Sequence, residues 1–303
     1  MDRRDFLRRA GLASAAIALP QTRERLFAAA PAPRWRSFEI TAHVEIPEAR
    51  GTTRVWVPIP PARATAYQKL LQATAFTAPD GRARHVTDAR TGTSMIAAEW
   101  TAGTRPRLTV TSHVSTRDYA VDLRAAPGRH RDPTTARYLQ PTSMIPTGGI
   151  VGDTAREICK DAATDLDKAR AIYTWIVDNT HRDADVKGCG VGDIRFMLES
   201  GNLGGKCADL NALYVGLARA VGLPARDVYG IRVAKSSLGY ASLGTSSGVI
   251  SKSQHCRAEV FVGGYGWTPV DPADVRKVML EEPPGNLPAF DGKVVAARER
   301  LFG

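Results

Sequence analysis

The sequence predicts an α+β protein in which a strand-rich N-terminal domain precedes a C-terminal domain of helices and strands. Between Trp35 and Leu123 apolar residues recur with a period of two, which is typical of half-buried strands. After Cys207 they recur at three and four residues, which is typical of an amphipathic helix. The 303 residues are enough for two ordinary domains.

The first 32 residues predict an export signal of the twin-arginine type. Paired arginines precede an apolar run, Ala10 to Leu19, which is too short to span a bilayer. Ala28 to Ala30 offer small residues for cleavage, although Arg23, Glu24 and Arg25 intervene and leave the cleavage point open. We therefore expect a periplasmic or extracytoplasmic protein without stable membrane insertion after cleavage. The alternative is a basic first helix of the mature domain.

Residues 33–132 are predicted to form a small β-sandwich, because short alternating stretches are separated by turn signals. The polar stretch 125–132 interrupts both periodicities and marks the linker to a second domain, residues 133–303. In that domain Asp153 is predicted to cap a helix through about Ala163, and Asp165 or Asp167 the next one.

Cys207 is predicted to begin a buried helix directly after Gly204-Gly205, which favour a tight turn. The helix dipole and the free N–H groups of the first turn would lower the pKa of its thiol and could hold an oxyanion. The alternative is a small buried core residue. Cys189, in the glycine-rich loop 187–193, is a second candidate nucleophile because it also precedes a helix, predicted to start at Asp193.

His255 begins a predicted strand, and Asp271 ends the strand that returns after the turn 263–266. A hairpin can set these two side chains side by side. A helix-start cysteine, a strand histidine and a next-strand aspartate form the constellation of an activated thiol. Cys256 is expected to point away from Cys207, since side chains alternate along a strand. Gln254 and Asn202 are candidates for a second oxyanion donor.

At this point the sequence resembles the transglutaminase-like superfamily of papain-type thiol enzymes, over about Tyr138 to Val278. The motifs that carry the resemblance are 205–209 (Gly-Lys-Cys-Ala-Asp), 218–226, 255–259 (His-Cys-Arg-Ala-Glu) and 266–272 (Gly-Trp-Thr-Pro-Val-Asp-Pro). The resemblance implies a papain-like core, roles for Cys207, His255 and Asp271, and no cofactor. It does not imply protein cross-linking, because the superfamily also contains peptidases, amidases and inactive binders.

Composition narrows the alternatives. The formal net charge is +10, but the basic residues are scattered without interleaved aromatics, so we expect no nucleic-acid partner. A basic surface facing anionic envelope polymers or lipids is a milder interpretation. The four cysteines are too few for a disulfide scaffold. No Cys-x-x-Cys pair occurs, so we do not expect a structural zinc site.

We therefore expect an exported enzyme that attacks an amide carbonyl through Cys207, with His255 and Asp271 as partners, and that passes a thioester to water or to an amine. Its substrate would be a peptide or protein amide, cell-envelope polymers included; the sequence leaves the particular amide and the oligomeric state open. The alternative is a non-catalytic envelope binding module that keeps the triad as scaffold. The Ser/Gly-rich segment 234–254 is either a lid over the site or a solvated insertion, and we expect residues 237–248 to be dispensable for folding.

Overall fold

The computed structural model describes residues 34–303, with the exceptions of positions 90 and 131. The predicted export signal lies outside these described residues. The chain separates into two compact units between Arg117 and Asp118. No helix within the described ranges is long and apolar enough to cross a membrane.

The first unit is built from strands. In chain order its described strands are β1 (Arg36–Glu45), β2 (Thr53–Pro58), β3 (Gln68–Leu70), β4 (Ala75–Thr77), β5 (Arg82–Thr87), β6 (Ser94–Trp100) and β7 (Arg107–Thr116). One antiparallel sheet has the order β1-β7-β3, with β4 also pairing with β7, and a second has the order β2-β6-β5.

A single apolar cluster forms the core of this unit. Trp100 and Ile96 of β6 and Leu108 and Val110 of β7 are buried in it. The two residues of each pair are four or two positions apart, so they share one face of their strand. Two antiparallel sheets with a shared core confirm the predicted β-sandwich.

The second unit begins earlier than the linker predicted near residue 132. The Tyr119 hydroxyl donates to the carbonyl of Trp267, and the Gly128 N–H donates to the carbonyl of Gly264 over 2.8 Å. The Trp267 indole in turn donates to the Asp132 carboxylate at 3.0 Å. Tyr119, Gly128 and Asp132 therefore all contact the stretch from Gly264 to Trp267 in the second unit. The polar composition of residues 125–132, which suggested a linker, reflects their surface position.

Helices and short strands alternate in the second unit after a 3₁₀ turn at Thr135–Leu139. The described elements are α1 (Ile150–Ile158), α2 (Asp165–Asn179), β8 (His181–Arg182), α3 (Ile194–Ser200), β9 (Gly204–Gly205), α4 (Cys207–Ala220), β10 (Ala225–Ile231), β11 (Gln254–Val262), β12 (Gly266–Val270), α5 (Pro272–Glu281) and α6 (Gly292–Arg300). The unit confirms the predicted α+β class.

Helix α4 is the centre of this unit. Every residue from Cys207 to Ala218 is buried, because α1, α2, α3 and α5 pack around it and the antiparallel sheet β10-β11-β12 covers another side. A helix that is enclosed on all sides belongs to a core rather than to a surface. This enclosure holds the start of α4 in a fixed place.

Two predicted helix starts are wrong. Helix α1 begins after Gly149, so the Asp153 N–H already bonds to the Gly149 carbonyl, and Asp153 lies in the first turn instead of capping it. Helix α2 is capped by Thr164, whose hydroxyl accepts the N–H of Asp167 at 3.1 Å, while the Asp167 carboxylate accepts the N–H of Thr164. This reciprocal capping box uses Asp167 at the third helical position.

The predicted hairpin of β11 and β12 is confirmed. Ala258 pairs with Val270, and the strands turn at Gly263–Tyr265. The chain end covers the outer edge of β12: the Gly303 N–H donates to the Pro269 carbonyl and the Asp271 N–H to the Leu301 carbonyl. These bonds occupy backbone groups that an edge strand would otherwise leave open.

The segment 234–253 is not simply a solvated insertion. Tyr240 and Leu243 are buried in the core of the unit. The Glu282 carboxylate accepts hydrogen bonds from the N–H groups of Ala241 and Ser242. The expectation that residues 237–248 are dispensable is therefore wrong, because the deletion would remove core side chains. The high serine and glycine content of the segment suggested a solvated insertion, although Leu238, Tyr240 and Leu243 lie within six positions of one another.

Candidate active site

Cys207 is the first residue of α4 and is only 6% exposed. The two glycines before it form β9, which pairs in parallel with β8, instead of the free turn that the sequence predicted. The Lys206 ammonium bonds to the Val186 carbonyl. The backbone on the N-terminal side of Cys207 is thus fixed by sheet pairing as well as by the helix.

The glycine-rich loop 187–193 is bound to the first turn of α4 by Asp209. Its Oδ1 accepts the N–H groups of Val191 and Gly192, both at 2.8 Å, and Oδ2 accepts the N–H of Lys206 at 2.9 Å. Gly190 has a φ of +100°, and a Cβ there would overlap the Asp209 carboxylate. The glycines therefore permit close packing beside Cys207, which requires the left-handed region that glycine tolerates.

His255 and Asp271 meet as the hairpin predicted. His255 is the second residue of β11, and its Nε2 lies 2.7 Å from Oδ2 of Asp271. Asp271 follows β12 and caps α5, where its Oδ1 accepts the N–H of Asp274 at 3.0 Å. Because Nε2 is engaged by Asp271, Nδ1 is the ring nitrogen that remains to interact with Cys207.

Asn211 is a site residue that sequence analysis missed. It is fully buried on α4 one turn after Cys207, so the two side chains project from one face of the helix. Its Nδ2 donates to Oδ1 of Asp271 at 3.2 Å and to the carbonyl of Cys256 at 2.7 Å. A polar amide at the i+4 position from the candidate nucleophile, between the apolar residues Leu210 and Ala212, was the available signal.

Cys256 does not lie apart from Cys207, so that expectation is wrong. Its side chain and its backbone N–H both lower the pKa of the Cys207 thiol, so the two residues lie close together. Alternation itself holds, since Cys256, Ala258 and Val260 are fully buried on one face of β11. That face packs against α4, which Cys207 begins. Alternation along the strand could be predicted from the sequence, but the position of the helix against it could not.

These contacts control the protonation of the site. The hydrogen bond from Cys256 lowers the pKa of Cys207, burial opposes this, and the hydrogen bond and charge of His255 lower it further, so the net shift is well below the ordinary value. Burial alone would lower the pKa of His255, but the Asp274 and Asp271 carboxylates raise it to about 10. The two shifts favour a thiolate–imidazolium pair at neutral pH.

The other two partners have shifts that fit this pair. Burial would raise the pKa of Asp271, but the charge and hydrogen bond of His255 and the charge of Arg232 bring it below its ordinary value. Burial and the neighbouring Cys207 raise the pKa of Cys189. Cys189 therefore stays a thiol, which favours Cys207 as the nucleophile of the two candidates.

A second carboxylate also faces the imidazole. Oδ2 of Asp274 lies 3.7 Å from Nε2 of His255. Asp274 forms a two-pronged ion pair with Arg232, 2.6 Å at each oxygen. Arg232 also donates to the carbonyl of Leu243, so it connects the segment 234–253 to the carboxylates around His255.

His255, Asp271 and Asp274 are also the one set of metal-type ligands that converges within the described residues, with ligand atoms within 4.8 Å of one another. Their contacts to Asn211 and Arg232 describe a hydrogen-bonded ion-pair network. Such a network orients the ring and favours its charged form.

The two predicted oxyanion donors make local contacts. The Gln254 amide donates to the Ser251 carbonyl at 2.7 Å, and Oδ1 of Asn202 accepts the N–H of Gly204 at 3.1 Å. Their role at the site stays a prediction. The N–H of Ala208 is engaged by the carbonyl of Cys189 at 2.8 Å, so this first-turn group is not available to a substrate.

Comparison with known proteins places this chain in a family. Residues 152–272 match the model of the transglutaminase-like superfamily, and this range contains Cys207, His255 and Asp271. A protein of Haemophilus influenzae, described as uncharacterized, is 34% identical over 283 residues, which are 88% of this chain and 75% of the relative.

Solved structures resemble the fold. A protein of Cytophaga hutchinsonii proposed to be a cysteine protease matches with a TM-score of 0.60 and 18% identity, over 80% of this chain and 78% of its own. The periplasmic domain of TgpA from Pseudomonas aeruginosa matches with a TM-score of 0.40 and 18% identity, over 82% and 73% of the two chains. From the family match and the 34% identical relative, we conclude that the chain belongs to the transglutaminase-like superfamily.

Proposed function

We propose that this protein is a cysteine-dependent acyl-transfer enzyme that acts on an amide bond, as a peptidase or amidase or as a transglutaminase-like enzyme. One observation supports the proposal most strongly. Nε2 of His255 lies 2.7 Å from Asp271, and the nearby imidazole lowers the pKa of the Cys207 thiol. This is the arrangement of a nucleophile, its base and the group that orients the base.

In the proposed reaction the Cys207 thiolate attacks the amide carbonyl carbon. The imidazolium of His255 gives its proton to the leaving amine, the C–N bond breaks, and a thioester remains on Cys207. Water then attacks the thioester, His255 accepts the proton of that water, and the acid and the free thiolate separate. Asp271 keeps Nε2 occupied, which directs Nδ1 toward the reacting sulfur.

The oxyanion of the tetrahedral intermediate requires hydrogen-bond donors. Since the N–H of Ala208 is engaged by Cys189, we propose the N–H of Cys207 itself as the main-chain donor. It lies at the positive end of the α4 dipole. Gln254 remains the side-chain candidate, because it directly precedes His255 and would have to leave the Ser251 carbonyl to act.

Hydrolysis is the first choice among the outcomes of the thioester, since water needs no second binding site. Transfer to an amine uses the same intermediate. The proposed substrate class is a peptide or protein amide, including cross-links of cell-envelope polymers. The net charge of +10 favours anionic partners of this kind. Export through the twin-arginine route remains a proposal that rests on the sequence of residues 1–32.

The test is to trap the thioester. Peptide and cell-wall libraries are mixed with the protein, the reaction is stopped in acid, and tryptic peptides are examined by mass spectrometry. Cleavage after Lys206 and Arg219 isolates Cys207 on the peptide 207–219, whereas Cys189 falls on 188–195. An acyl group on 207–219, absent in Cys207→Ser and retained in Cys189→Ser, supports the proposal. An acyl group on 188–195 would make Cys189 the nucleophile. Binding without any acylated peptide would favour the non-catalytic binding module.

A further inference from the structure

Main-chain hydrogen bonds hold the loop around Cys189 against the first turn of α4, which Cys207 begins. The carbonyl of Cys189 accepts the N–H of Ala208 at 2.8 Å, and Asp209 accepts the N–H groups of Val191 and Gly192. The neighbouring Cys207 sulfur raises the pKa of the Cys189 thiol, so the two side chains lie close together. The acyl-transfer chemistry described above requires no second thiol at this place.

The two thiols differ in protonation, which determines which of them reacts with an oxidant. Cys207 is the low-pKa sulfur of the site, and a thiolate reacts with peroxides far faster than a thiol does. Cys189 is protonated and partly exposed, and it lies between two glycines in the left-handed region, Gly188 and Gly190. Oxidised cysteines that are protected from further oxidation have such a second thiol at contact distance.

We propose that Cys189 and Cys207 form a reversible redox pair, in which peroxide oxidises Cys207 and Cys189 resolves the product into a Cys189–Cys207 disulfide. The Cys207 thiolate attacks one oxygen of hydrogen peroxide, the O–O bond breaks, and the departing hydroxide takes a proton to leave as water. The product is a sulfenic acid on Cys207. The Cys189 sulfur then attacks the Cys207 sulfur, the S–O bond breaks, and the hydroxyl leaves as water with the Cys189 proton. The two sulfurs together lose two electrons to one peroxide.

Cys256 is the competing partner, since it also contacts Cys207. It is fully buried within β11, where Tyr229 pairs with it across the sheet. Moving its sulfur to bonding distance would require displacement of a central strand. Cys189 lies in a loop with glycines on both sides, so a small backbone adjustment can close the remaining distance. The Cys189–Cys207 disulfide would block acylation of Cys207 until a thiol reductant restores the free thiolate.

The experiment needs no substrate, so its result is independent of the proposed acyl transfer. The purified protein is treated with increasing hydrogen peroxide, free thiols are capped with iodoacetamide, and a non-reducing tryptic digest is analysed. All four cysteines fall on different tryptic peptides: 157–160, 188–195, 207–219 and 253–257. We expect 188–195 linked to 207–219, and the link to disappear with dithiothreitol.

Two single variants complete the test, each checked for a wild-type melting curve. In Cys189→Ser we expect Cys207 to proceed to sulfinic and sulfonic acid, which dithiothreitol cannot reverse. In Cys256→Ser the link between 188–195 and 207–219 should still form. A wild-type link between 207–219 and 253–257 would overturn the proposal, as would irreversible oxidation of Cys207 at equal rates in the wild type and in Cys189→Ser.

Discussion

The Asn211 amide donates to Oδ1 of Asp271 at 3.2 Å, while Oδ2 of the same carboxylate lies 2.7 Å from His255. One helix therefore supplies both Cys207 and a donor to the carboxylate beside His255. In the proposed mechanism Asn211 acts through Asp271, as a positioning residue rather than a catalytic one.

Asn211→Leu, of similar volume, removes this donor. A hydrogen bond to a charged group contributes about 1.5–3 kcal/mol, so we expect kcat to fall about tenfold or more while KM stays nearly constant. The alkylation rate of Cys207 should also fall near neutral pH, because a misplaced imidazole stabilises the thiolate less. Equal kcat in the variant and the wild type would contradict the positioning role.

Sequence reasoning identified the elements but not all of their contacts. The hairpin of β11 and β12 followed from alternation and turn residues, and it brings His255 to Asp271. The contacts of Cys256 and Asn211 with the site depend on how α4 packs against the sheet, which no local period encodes. The same holds for the ion pair between Arg232 and Asp274, which are 42 residues apart in the chain.

Removal of the base tests the proposed mechanism. His255→Ala should lower kcat by about two orders of magnitude or more, which is the usual contribution of a general acid–base group. Asp271→Asn should lose activity to a smaller or comparable extent, since the ring keeps a neighbour at Nε2. Steady-state kinetics measure both losses of activity, on a substrate that the thioester-trapping experiment identifies.

Asp271→Ala is the matched control for structure. It also removes the cap of α5 and should cost about 1 kcal/mol of unfolding free energy, whereas Asn keeps a capping oxygen. Full activity in His255→Ala would remove the triad model.

Asp274 sets the pH range of the imidazolium. Its charge is the largest of the influences that raise the pKa of His255 to about 10. Asp274→Asn should therefore lower that pKa, so His255 loses its proton at a lower pH than in the wild type. Titration of the His255 ring protons by NMR measures this shift.

The raised pKa of His255 also makes the free energy of unfolding depend on pH. A raised pKa contributes stability that is complete below the unfolded value of about 6.5 and is lost as the pH rises through about 10. In Asp274→Asn this contribution should be smaller and should be lost completely at a lower pH than in the wild type. An unchanged His255 titration in the variant would show that Asp274 does not act on the ring.

The segment 234–253 should contribute to stability at its buried positions and not at its exposed ones. Leu243 is 7% exposed and Val249 is 77% exposed, so the two form a matched pair. Leu243→Ala should lower the unfolding free energy by about 2–4 kcal/mol because it leaves a cavity, and Val249→Ala by less than about 0.5 kcal/mol. Denaturant unfolding measures both. Equal effects would return this segment to a solvated insertion.

The most direct test of the central claim is the pH dependence of Cys207 alkylation by iodoacetamide, read from the tryptic peptide 207–219. The lowered pKa of Cys207 and the raised pKa of His255 predict rapid labelling that changes little between about pH 6 and pH 8. In His255→Ala the labelling should become slower at neutral pH and rise with pH. If wild-type Cys207 instead reacts at the rate of a free cysteine, with a midpoint near its ordinary pKa of about 8.5, the activated thiolate does not exist.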